Sequence, residues 1–482
     1  MNTPLRRLAS VVVVMFLALM LGSTWVQFVT APDLNADQRN VRTLYREFGT
    51  PRGPIVVGGE AIASSVPVDD VFGYQRVYTN GALYGHLTGY YSVVYGRSEL
   101  ERAMNTELNG SADSLFLRRV QDLVTGRQPQ GAVVETTVVP ALQQAASDAL
   151  GDQRGAVVAL DPRTGAILAL VSKPTYDPAV LAPHDQAAVT AAWEALSSDP
   201  GKPLMNRALR GDLYPPGSVF KIVTAAAALE SGLDPATEIP APVELDLPLT
   251  STTLPNFGGS ACSPTGTQTL ADALRISCNT AFGQLGLDVG AEALREQAQA
   301  FGFSEELSVP MRVTESSFPA EPDAPQTALS AIGQYEVRVT PLQVAMISAA
   351  VANDGVLMRP YSVAAVRSAD LEVVDETEPE EMGRSISAET AELLTQMMLG
   401  VVDDGTGRTA QIPGVRVAGK SGTAQTGNEQ DAHAWFTAFA PADDPRIAVA
   451  VVVENGGSLG SEATGGAVAA PIARAVIEAA LQ

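Results

Sequence analysis

The sequence contains little histidine and little cysteine. Its only histidines are His86, His184 and His433, and its only cysteines are Cys262 and Cys278. These residues are scattered along the chain without metal-ligand spacing, so nothing in the sequence predicts a zinc-type site. Scattered histidines also give little support to a Ser-His-Asp hydrolase. His433, which opens the run HAWF, is interpreted as a structural residue.

Lysine is also scarce, and acidic residues outnumber basic ones. Asp and Glu number 54 against 31 Lys and Arg, which gives a formal net charge of −23. This balance argues against a nucleic-acid-binding surface, although acidity alone identifies no partner. The only lysines are Lys173, Lys202, Lys221 and Lys420. Lys221 stands out because it lies within the apolar run VFKIVTAAAAL.

The overall composition is that of a folded chain with a large core. Hydrophobic residues make up 46% of the 482 residues and charged residues 18%. A disordered chain would carry more charge and fewer apolar side chains. The length corresponds to about three units of ordinary domain size.

A long apolar run lies at the N-terminus. Residues 8 to 29, LASVVVVMFLALMLGSTWVQFV, carry no charge, and Arg6 and Arg7 precede them. About 20 apolar residues span a bilayer as a helix, and flanking arginines favour a cytoplasmic N-terminus. We therefore predict a single membrane anchor within residues 1 to 30, with a cleaved signal peptide as the alternative. Under either interpretation, the rest of the chain lies outside the cytoplasm.

This location affects how the two cysteines are interpreted. In an oxidising compartment an isolated pair can form a disulfide, here between Cys262 and Cys278. The alternative is two free, buried thiols, and the sequence leaves both possibilities open.

The pattern after the anchor predicts a small module followed by a larger domain. Residues 31 to 50 are predicted to be a polar stalk, and strand-like runs such as GPIVVGG and YQRVYT continue to about residue 126. We predict a mostly β module without a catalytic cluster at residues 31 to 130 and a second, larger domain at residues 131 to 482. In the latter, a helix begins near Pro140, and the turn sequence DPRTG joins two apolar runs.

The larger domain is predicted to contain one antiparallel sheet. Its middle, roughly residues 186 to 355, has mainly helical patterns, and strands return at GVRVAGKSGTAQ, HAWFTAFAP and RIAVAVVVEN. Strands from both ends of the domain thus flank a helical insertion, which indicates a sheet with helices on its faces. The charged stretch SADLEVVDETEPEEMG is interpreted as a solvated loop, and no internal repeat is present.

Ser218 and Lys221 form a Ser-x-x-Lys pair at the predicted start of a helix. The preceding YPPG interrupts any earlier element, and residues three apart share a helix face, so Lys221 is predicted to point back over Ser218. A serine hydroxyl becomes a good nucleophile when a base removes its proton, and a lysine buried among apolar neighbours can be that base. The alternative is a surface lysine with Ser218 as a helix cap. No Gly-x-Ser-x-Gly elbow surrounds Ser218.

Two further motifs favour the catalytic interpretation. RISCNTAF places Ser-Cys-Asn at residues 277 to 279, where one helical run ends and another begins, and VAGKSGTAQ places Lys-Ser-Gly-Thr at residues 420 to 423 on a strand. The order Ser-x-x-Lys, Ser-x-Asn, Lys-Ser-Gly-Thr resembles the active-site motifs of penicillin-binding proteins and serine β-lactamases. Ser421 stands where the family often has threonine, and both residues carry a hydroxyl.

The resemblance extends over nearly the whole chain. RGPI after the anchor, GAVVALDPRTGAILALVSKPTYDP, IGQYEVRVTPLQVA and GTGRTAQIPGVRVAGKSGTAQTG are similar to monofunctional class B penicillin-binding proteins, above all those of actinobacteria. This family implies an α/β fold of the α+β kind. It would have a transmembrane helix, a small mostly β module, and a transpeptidase domain with a helix-flanked antiparallel sheet and an all-helical subdomain. No cofactor or metal is implied.

The family resemblance implies a role for each motif residue. Ser218 would attack the penultimate D-alanine of a peptidoglycan stem peptide, with Lys221 as the base. Ser277 would relay a proton to the leaving amine, and Lys420 would hold the Ser277 hydroxyl.

The remaining motif residues would bind the substrate. Asn279 would contact the substrate amide, and the hydroxyls of Ser421 and Thr423 would bind the terminal carboxylate. Gly422 would leave room for substrate against the strand. The backbone N–H groups of Ser218 and Thr423 would form the oxyanion hole.

The resemblance implies a D,D-transpeptidase that β-lactams acylate. The implied partners are peptidoglycan strands, the membrane and a separate membrane glycan polymerase, because about 100 residues before the catalytic region leave little room for a glycosyltransferase. The alternatives are a D,D-carboxypeptidase, a β-lactam-hydrolysing or sensing protein, and a non-catalytic division scaffold. Labelled penicillin would distinguish a scaffold with an inactive site, since it would not be acylated.

Overall fold

The computed structural model describes residues 2–30, 45, 47–115, 126, 130–425 and 431–482. Its helices are α1 Asn2–Phe28, α2 Gly81–Thr88, α3 Glu99–Ala103, α4 Asn105–Leu108, α5 Pro140–Leu150, α6 Gln186–Ser198, α7 Lys221–Glu230, α8 Leu270–Arg275, α9 Asn279–Val289, α10 Ala291–Ala300, α11 Ala324–Ser330, α12 Pro341–Ala352, α13 Ala388–Asp404 and α14 Ala470–Ala480.

Short strands alternate with these helices. They are β1 Ile55–Val57, β2 Glu60–Pro67, β3 Tyr74–Tyr78, β4 Tyr91–Ser92, β5 Gly96–Arg97, β6 Val133–Thr136, β7 Gly155–Leu160, β8 Ile167–Lys173, β9 Glu238–Pro240, β10 Glu244–Asp246, β11 Thr253–Pro255, β12 Thr267–Thr269, β13 Val356–Met358, β14 Val363–Arg367, β15 Val373–Glu376, β16 Glu381–Arg384, β17 Ala418–Ala424, β18 His433–Ala440 and β19 Ile447–Val453.

The catalytic domain is built on a five-stranded antiparallel sheet. Its strand order is β17-β18-β19-β7-β8, and every neighbouring pair is antiparallel. β7 and β8 form the hairpin around DPRTG, and β17 to β19 come from the C-terminal part of the chain. The structure therefore confirms the predicted sheet, with strands from both sides of the helical insertion.

Helices cover both faces of this sheet. Ile447, Val449, Val451 and Val453 of β19 pack into one apolar core with residues of α5 and α14. Ala448, Ala450 and Val452 point the other way, into a core that includes residues of α7 and α12. Successive side chains of a strand alternate between faces. Double coverage explains why the sequence of β19 is apolar throughout instead of alternating.

The Ser-x-x-Lys helix is a core element of the helical region. Every residue of α7 from Lys221 to Leu229 is buried, and only Glu230 is exposed. The apolar sequence around Lys221 therefore reflects burial on all sides of the helix. This excludes the interpretation of Lys221 as a surface lysine.

A second sheet unites the N-terminal module with later parts of the chain. Its order is β15-β14-β6-β1-β2-β3, and β1 pairs with β6 in parallel. β14 and β15 come from the range 131 to 482, so this sheet is not made from residues 31 to 130 alone. The charged stretch at 368–383 is mostly exposed, as expected, but it contains β15 and the start of β16 instead of being only a loop.

The apolar N-terminal run forms one helix that is long enough to cross a membrane. Within α1, Thr3–Gln27 has a mean hydropathy of 2.2, and none of this span is buried against the rest of the described chain. Most of the predicted stalk, namely residues 31–44 and 46, lies outside the described residues.

Candidate active site

Ser218 lies in a tight turn directly before α7. The turn is a 3-10 segment, Gly217–Phe220, and Gly217 has a φ of 54°. The Gly217 amide donates to the carbonyl oxygen of Gly333 at 2.9 Å. A Cβ atom on Gly217 would lie 2.7 Å from the carbonyl oxygen of Thr423. Glycine therefore allows the Ser218 turn to approach strand β17 closely.

Lys221 is fully buried and contacts the Ser-Cys-Asn motif. Its Nζ lies 2.7 Å from the Ser277 carbonyl oxygen, 2.8 Å from Asn279 Oδ1 and 3.3 Å from Ser277 Oγ. Burial lowers the pKa of Lys221 well below its usual value, and the neighbouring Lys420 lowers it further. A neutral amine has two N–H groups for the two shorter contacts, which leaves its lone pair free to accept a proton.

The position of Lys221 differs in part from the sequence expectation. The spacing predicted that Lys221 points back over Ser218, but within the described chain Ser218 Oγ forms no hydrogen bond with Lys221 or with any other residue. The carbonyl of Ser277 and the amide of Asn279 hold the amine instead. Catalytic hydrogen bonds are often long without substrate and shorten when it binds.

Lys420 approaches Ser277 from the opposite element, strand β17. Its Nζ donates to Ser277 Oγ at 2.8 Å and to the Ser421 carbonyl oxygen at 2.9 Å. Burial lowers the pKa of Lys420 to about 7. Two lysines from different elements thus contact one hydroxyl, and Ser277 connects them.

The backbone around Ser277 is unusual and well held. Ser277 has a φ of 63°, in the left-handed region that non-glycine residues seldom adopt. The next residue, Cys278, forms a disulfide with Cys262. Asn256 Oδ1 accepts the amides of Asn279 and Thr280 at 3.1 Å each, so it caps the start of α9. These contacts hold the Ser277 side chain between the two lysines.

Strand β17 supplies the hydroxyl groups of the Lys-Ser-Gly-Thr motif. Ser421 is mostly buried, and its Oγ lies 2.6 Å from Thr406 Oγ1. Thr423 is half-buried and borders the same cavity as Ser218. β17 is the edge strand of the sheet, so one side of its backbone is open to a ligand.

A side chain at position 422 would crowd neighbouring atoms of the protein itself. A Cβ atom there would lie 3.0 Å from Val219 Cγ1, 3.1 Å from Trp435 Cβ and 3.2 Å from the Pro216 carbonyl oxygen. All three atoms belong to the protein, so the glycine makes room for the Ser218 turn to pack against β17. Gly422 also borders the same cavity as Ser218, so its expected role in leaving room for substrate stays a prediction.

Two cavities share Ser218 as a lining residue. The smaller one, about 250 Å³, is bordered by Ser218, Ser277, Asn279, Thr406, Ser421 and Thr423. The larger one, about 860 Å³, extends from Ser218 past Phe257, Tyr335 and Gln425. The serine hydroxyl thus lies where two chain segments of a substrate or of two substrates can meet.

Several residues of this site were not predicted from the sequence. Thr406 and Thr464 border the smaller cavity, Phe257 borders both cavities, and Asn256 holds α9. Thr406 lies in GTGR and Thr464 in ATGG, so a threonine directly before a glycine was the available signal. Nothing in the local pattern indicated that these two loops reach the Lys-Ser-Gly-Thr strand.

His433 makes structural contacts at the start of β18. His433 Nδ1 accepts the Asn455 amide at 3.1 Å, and its ring packs edge-on against Tyr214. Burial lowers the pKa of His433. Among the described residues, no group of three His, Cys, Asp or Glu side chains is arranged to hold a metal ion.

Comparisons with known proteins identify related chains. The family model described as penicillin binding protein transpeptidase domain matches residues 155–478, and that described as penicillin binding protein A dimerisation domain matches residues 52–134. The peptidoglycan D,D-transpeptidase PbpA of Mycolicibacterium smegmatis is 47% identical, over 100% of this chain and 99% of the relative.

Solved structures show the same similarity. The penicillin G acyl-enzyme complex of penicillin-binding protein A from M. tuberculosis has a TM-score of 0.86 and 45% identity, and covers 90% of this chain and 100% of that one. The family resemblance predicted from the motifs is thereby confirmed. With a family model over most of its length and a full-length relative, the chain belongs to the family of penicillin-binding protein transpeptidases.

Proposed function

We propose that Ser218 is the nucleophile of this serine-type D,D-transpeptidase of cell-wall synthesis, and that Lys221 is its base. The observation that carries the proposal is the buried Lys221–Ser277–Lys420 cluster, which lies beside the Ser218 turn. Buried lysines with lowered pKa values are suited to proton transfer at neutral pH. A purely structural lysine would instead be paired with a carboxylate.

In the proposed acylation, the proton that leaves Ser218 is returned to the leaving amine. Lys221 takes the Ser218 proton, and Ser218 Oγ bonds to the carbonyl carbon of the penultimate D-alanine. The resulting oxyanion faces the backbone N–H groups of Ser218 and Thr423. One such donor is typically worth about 3 to 4 kcal/mol of transition-state stabilisation. The C–N bond to the terminal D-alanine breaks, and its nitrogen receives a proton from Lys221 through the Ser277 hydroxyl, which Lys420 orients.

Substrate recognition is assigned to the walls of the smaller cavity. Ser421 and Thr423 hydroxyls bind the terminal carboxylate, with the Lys420 amine behind them. The Asn279 side chain contacts the substrate amide while its Oδ1 holds Lys221. An amine from a second stem peptide then attacks the acyl-enzyme, forms the crosslink, and returns Ser218 to its hydroxyl form.

The same chemistry predicts acylation by β-lactams. A β-lactam offers Ser218 a strained amide in place of the D-alanyl amide, and the ring-opened product stays attached as an ester. The M. tuberculosis relative has been solved as its penicillin G acyl-enzyme, which supports this expectation for Ser218.

We place the N-terminus in the cytoplasm, with α1 in the membrane and the catalytic domain outside. Arg6 and Arg7 before the apolar run support this orientation. We assign residues 1–30 to the anchor, 31–130 to the non-catalytic module and 131–482 to the transpeptidase domain. Neither matched domain polymerises glycan strands, so we propose a membrane glycan polymerase as partner.

Crosslinking of glycan strands tests this function. The full-length protein in detergent micelles is incubated with polymerised, uncrosslinked strands that carry pentapeptides, and the products are analysed by mass spectrometry after muramidase digestion. A transpeptidase yields crosslinked dimers with one D-alanine released per crosslink. Release of D-alanine without dimers would indicate a carboxypeptidase instead, and absence of both products would indicate a scaffold.

A further inference from the structure

A buried carboxylate lies at the end of β19, the central strand of the five-stranded sheet, and belongs to none of the three active-site motifs. Glu454 follows β19 directly and is 8% exposed. Its Oε1 accepts from Arg207 Nε at 2.7 Å and from the Tyr214 hydroxyl at 2.8 Å, and Arg154 Nη2 lies 3.0 Å from its Oε2. The Glu454 amide also donates to the Arg154 carbonyl oxygen at 2.8 Å.

The charges in this cluster favour an ionised Glu454. Burial raises the pKa of Glu454, but Arg207, the Tyr214 hydroxyl and Arg154 together outweigh burial and hold its pKa below the usual range. Arg207 is fully buried, and its Nη2 also donates to the Gly201 carbonyl oxygen at 2.7 Å. The carboxylate is therefore a fixed acceptor, built into the sheet, and Tyr214 supplies its only uncharged side-chain donor in the described chain.

Tyr214 connects this carboxylate to the nucleophile, four residues further along the chain. Its backbone pairs with Val339 in both directions, at 3.1 Å and 2.9 Å. The next residues, Pro215 and Pro216, have no amide hydrogen and cannot donate. A side chain of strand β18 holds this segment instead, since Trp435 Nε1 donates to the Pro215 carbonyl oxygen at 3.1 Å.

We propose that Glu454 is a positioning residue for the transpeptidase reaction, which acts by holding the Tyr214 hydroxyl and so fixing the segment Tyr214–Gly217 that carries Ser218. The Trp435 contact and the Gly217–Gly333 hydrogen bond fix the same segment further along. The sheet thus determines where the serine oxygen lies relative to Lys221 and strand β17. This inference rests on the proposed role of Ser218.

The test compares two tyrosines that make the same kind of contact. Tyr214→Phe removes only the hydroxyl that Glu454 holds. Tyr78→Phe is the matched control, because the Tyr78 hydroxyl contacts the buried carboxylate of Glu101, which Arg52 and Arg76 pair with, in the N-terminal module. The full-length variants are compared with the unmodified chain by stopped-flow acylation with a fluorescent penicillin, and melting temperatures are recorded.

Positioning predicts a specific kinetic result. Because a displacement of about 1 Å can cost on the order of 100-fold in rate, loss of one tether in Tyr214→Phe is expected to slow the first-order acylation step about tenfold. The dissociation constant of the penicillin should stay within about twofold, and Tyr78→Phe should acylate like the unmodified chain. Unmodified acylation in Tyr214→Phe, or an equal loss in Tyr78→Phe, would overturn the proposal.

A second variant tests the role of the carboxylate itself. If Glu454 acts through Tyr214, the acylation losses of Glu454→Leu and Tyr214→Phe are not additive in the double variant. Additive losses would overturn the claim that Glu454 acts through Tyr214. If Glu454→Leu does not fold, the acylation rate of Tyr214→Phe alone supports or overturns the proposal. Ser218→Ala distinguishes failure of the proposed function from failure of the positioning proposal. It tests only whether Ser218 is the nucleophile and does not depend on Glu454.

Discussion

At the scale of single residues, the site depends on two lysines that pair with no carboxylate among the described residues. Lys221 and Lys420 are both fully buried, and both contact Ser277 Oγ. Burial and mutual repulsion make a double positive charge costly here. The sequence allowed the burial of Lys221 to be predicted from its apolar neighbours. It could not predict that Ser277 and Asn279 would hold the amine, because that contact joins residues more than 50 positions apart.

Lys221→Arg is expected to be as damaging as Lys221→Ala. Arginine keeps the charge but does not lose a proton in a protein, so it cannot accept the Ser218 proton. Its larger guanidinium also does not fit the contacts of Nζ with Ser277 and Asn279. Acylation by labelled penicillin measures the effect, and we expect both variants to fall by about 100-fold or more. An arginine variant that acylates at nearly the original rate would mean that Lys221 acts only as a fixed charge.

The lowered pKa of Lys420 predicts a pH-dependent contribution to stability. In the folded chain its pKa is about 7, against 10.5 for an ordinary lysine. Between these values the unfolded chain binds a proton at Lys420 that the folded chain does not, so this residue makes stability rise with pH. The penalty for burying it is complete below pH 7 and is relieved as the pH approaches 10.5.

Replacing Lys420 with methionine should remove that gradient. Urea unfolding at pH 7.5 and pH 9 is expected to show that Lys420→Met loses up to about 1.4 kcal/mol of pH-dependent stabilisation per pH unit, relative to the unmodified chain. Lys202→Met is the control, because Lys202 is an exposed lysine paired with Asp212 on the surface. An identical pH gradient in Lys420→Met and the unmodified chain would show that Lys420 is not neutralised on folding.

At the scale of elements, the sequence predicted the features that depend on neighbouring residues, namely a helix start, a hairpin turn and a buried strand. Pro140 marks the start of α5, DPRTG joins β7 to β8, and the apolar run RIAVAVVV forms β19. Thr406 illustrates what was missed, since its contact with Ser421 depends on how the end of α13 packs against β17. The pairing of β14 with β6 could not be predicted from local sequence patterns either, because it joins strands more than 200 residues apart.

The Cys262–Cys278 disulfide should matter more for rate than for stability. It ties the loop before β12 to the residue between Ser277 and Asn279. Closing a loop of this length, with a sequence separation of 16, contributes about 3 kcal/mol in the chain-entropy model. Reduction should also let Ser277 and Asn279 move relative to Ser218. We therefore expect acylation of the reduced protein to slow by more than its lower melting temperature accounts for.

Thiol counting establishes the starting point of this experiment. The denatured, exported protein should show no free thiol before reduction and two afterwards. Melting temperature and acylation rate are then measured on both forms at a temperature well below unfolding. An unchanged acylation rate after complete reduction would contradict the positional effect, and two free thiols in the unreduced protein would remove the disulfide itself.

At the scale of the whole molecule, the helical insertion brings distant motifs together. Ser218, Ser277 and Lys420 come from three separate parts of the chain, and the five-stranded sheet provides the edge where they meet. The order of the motifs was sufficient to predict this convergence through the family resemblance. The composition alone predicted only a folded, acidic chain with an apolar N-terminal helix.

The N-terminal helix makes a prediction about the mature protein. No part of Thr3–Gln27 packs against the described chain, and we propose that lipid covers this apolar helix. We expect the mature protein to keep its N-terminus, to resist extraction by alkaline carbonate and to dissolve in detergent. N-terminal sequencing of the membrane fraction checks this. A mature chain that begins after residue 30 would favour the signal-peptide alternative.

Intact-mass analysis after exposure to penicillin G, with the modified peptide mapped, tests whether Ser218 is the acylated nucleophile. We expect one penicilloyl adduct per chain, located on Ser218, and no adduct on a Ser218→Ala variant that melts at the same temperature as the unmodified chain. A stoichiometric adduct on Ser218→Ala, or an adduct mapped to another residue of the unmodified chain, would contradict it.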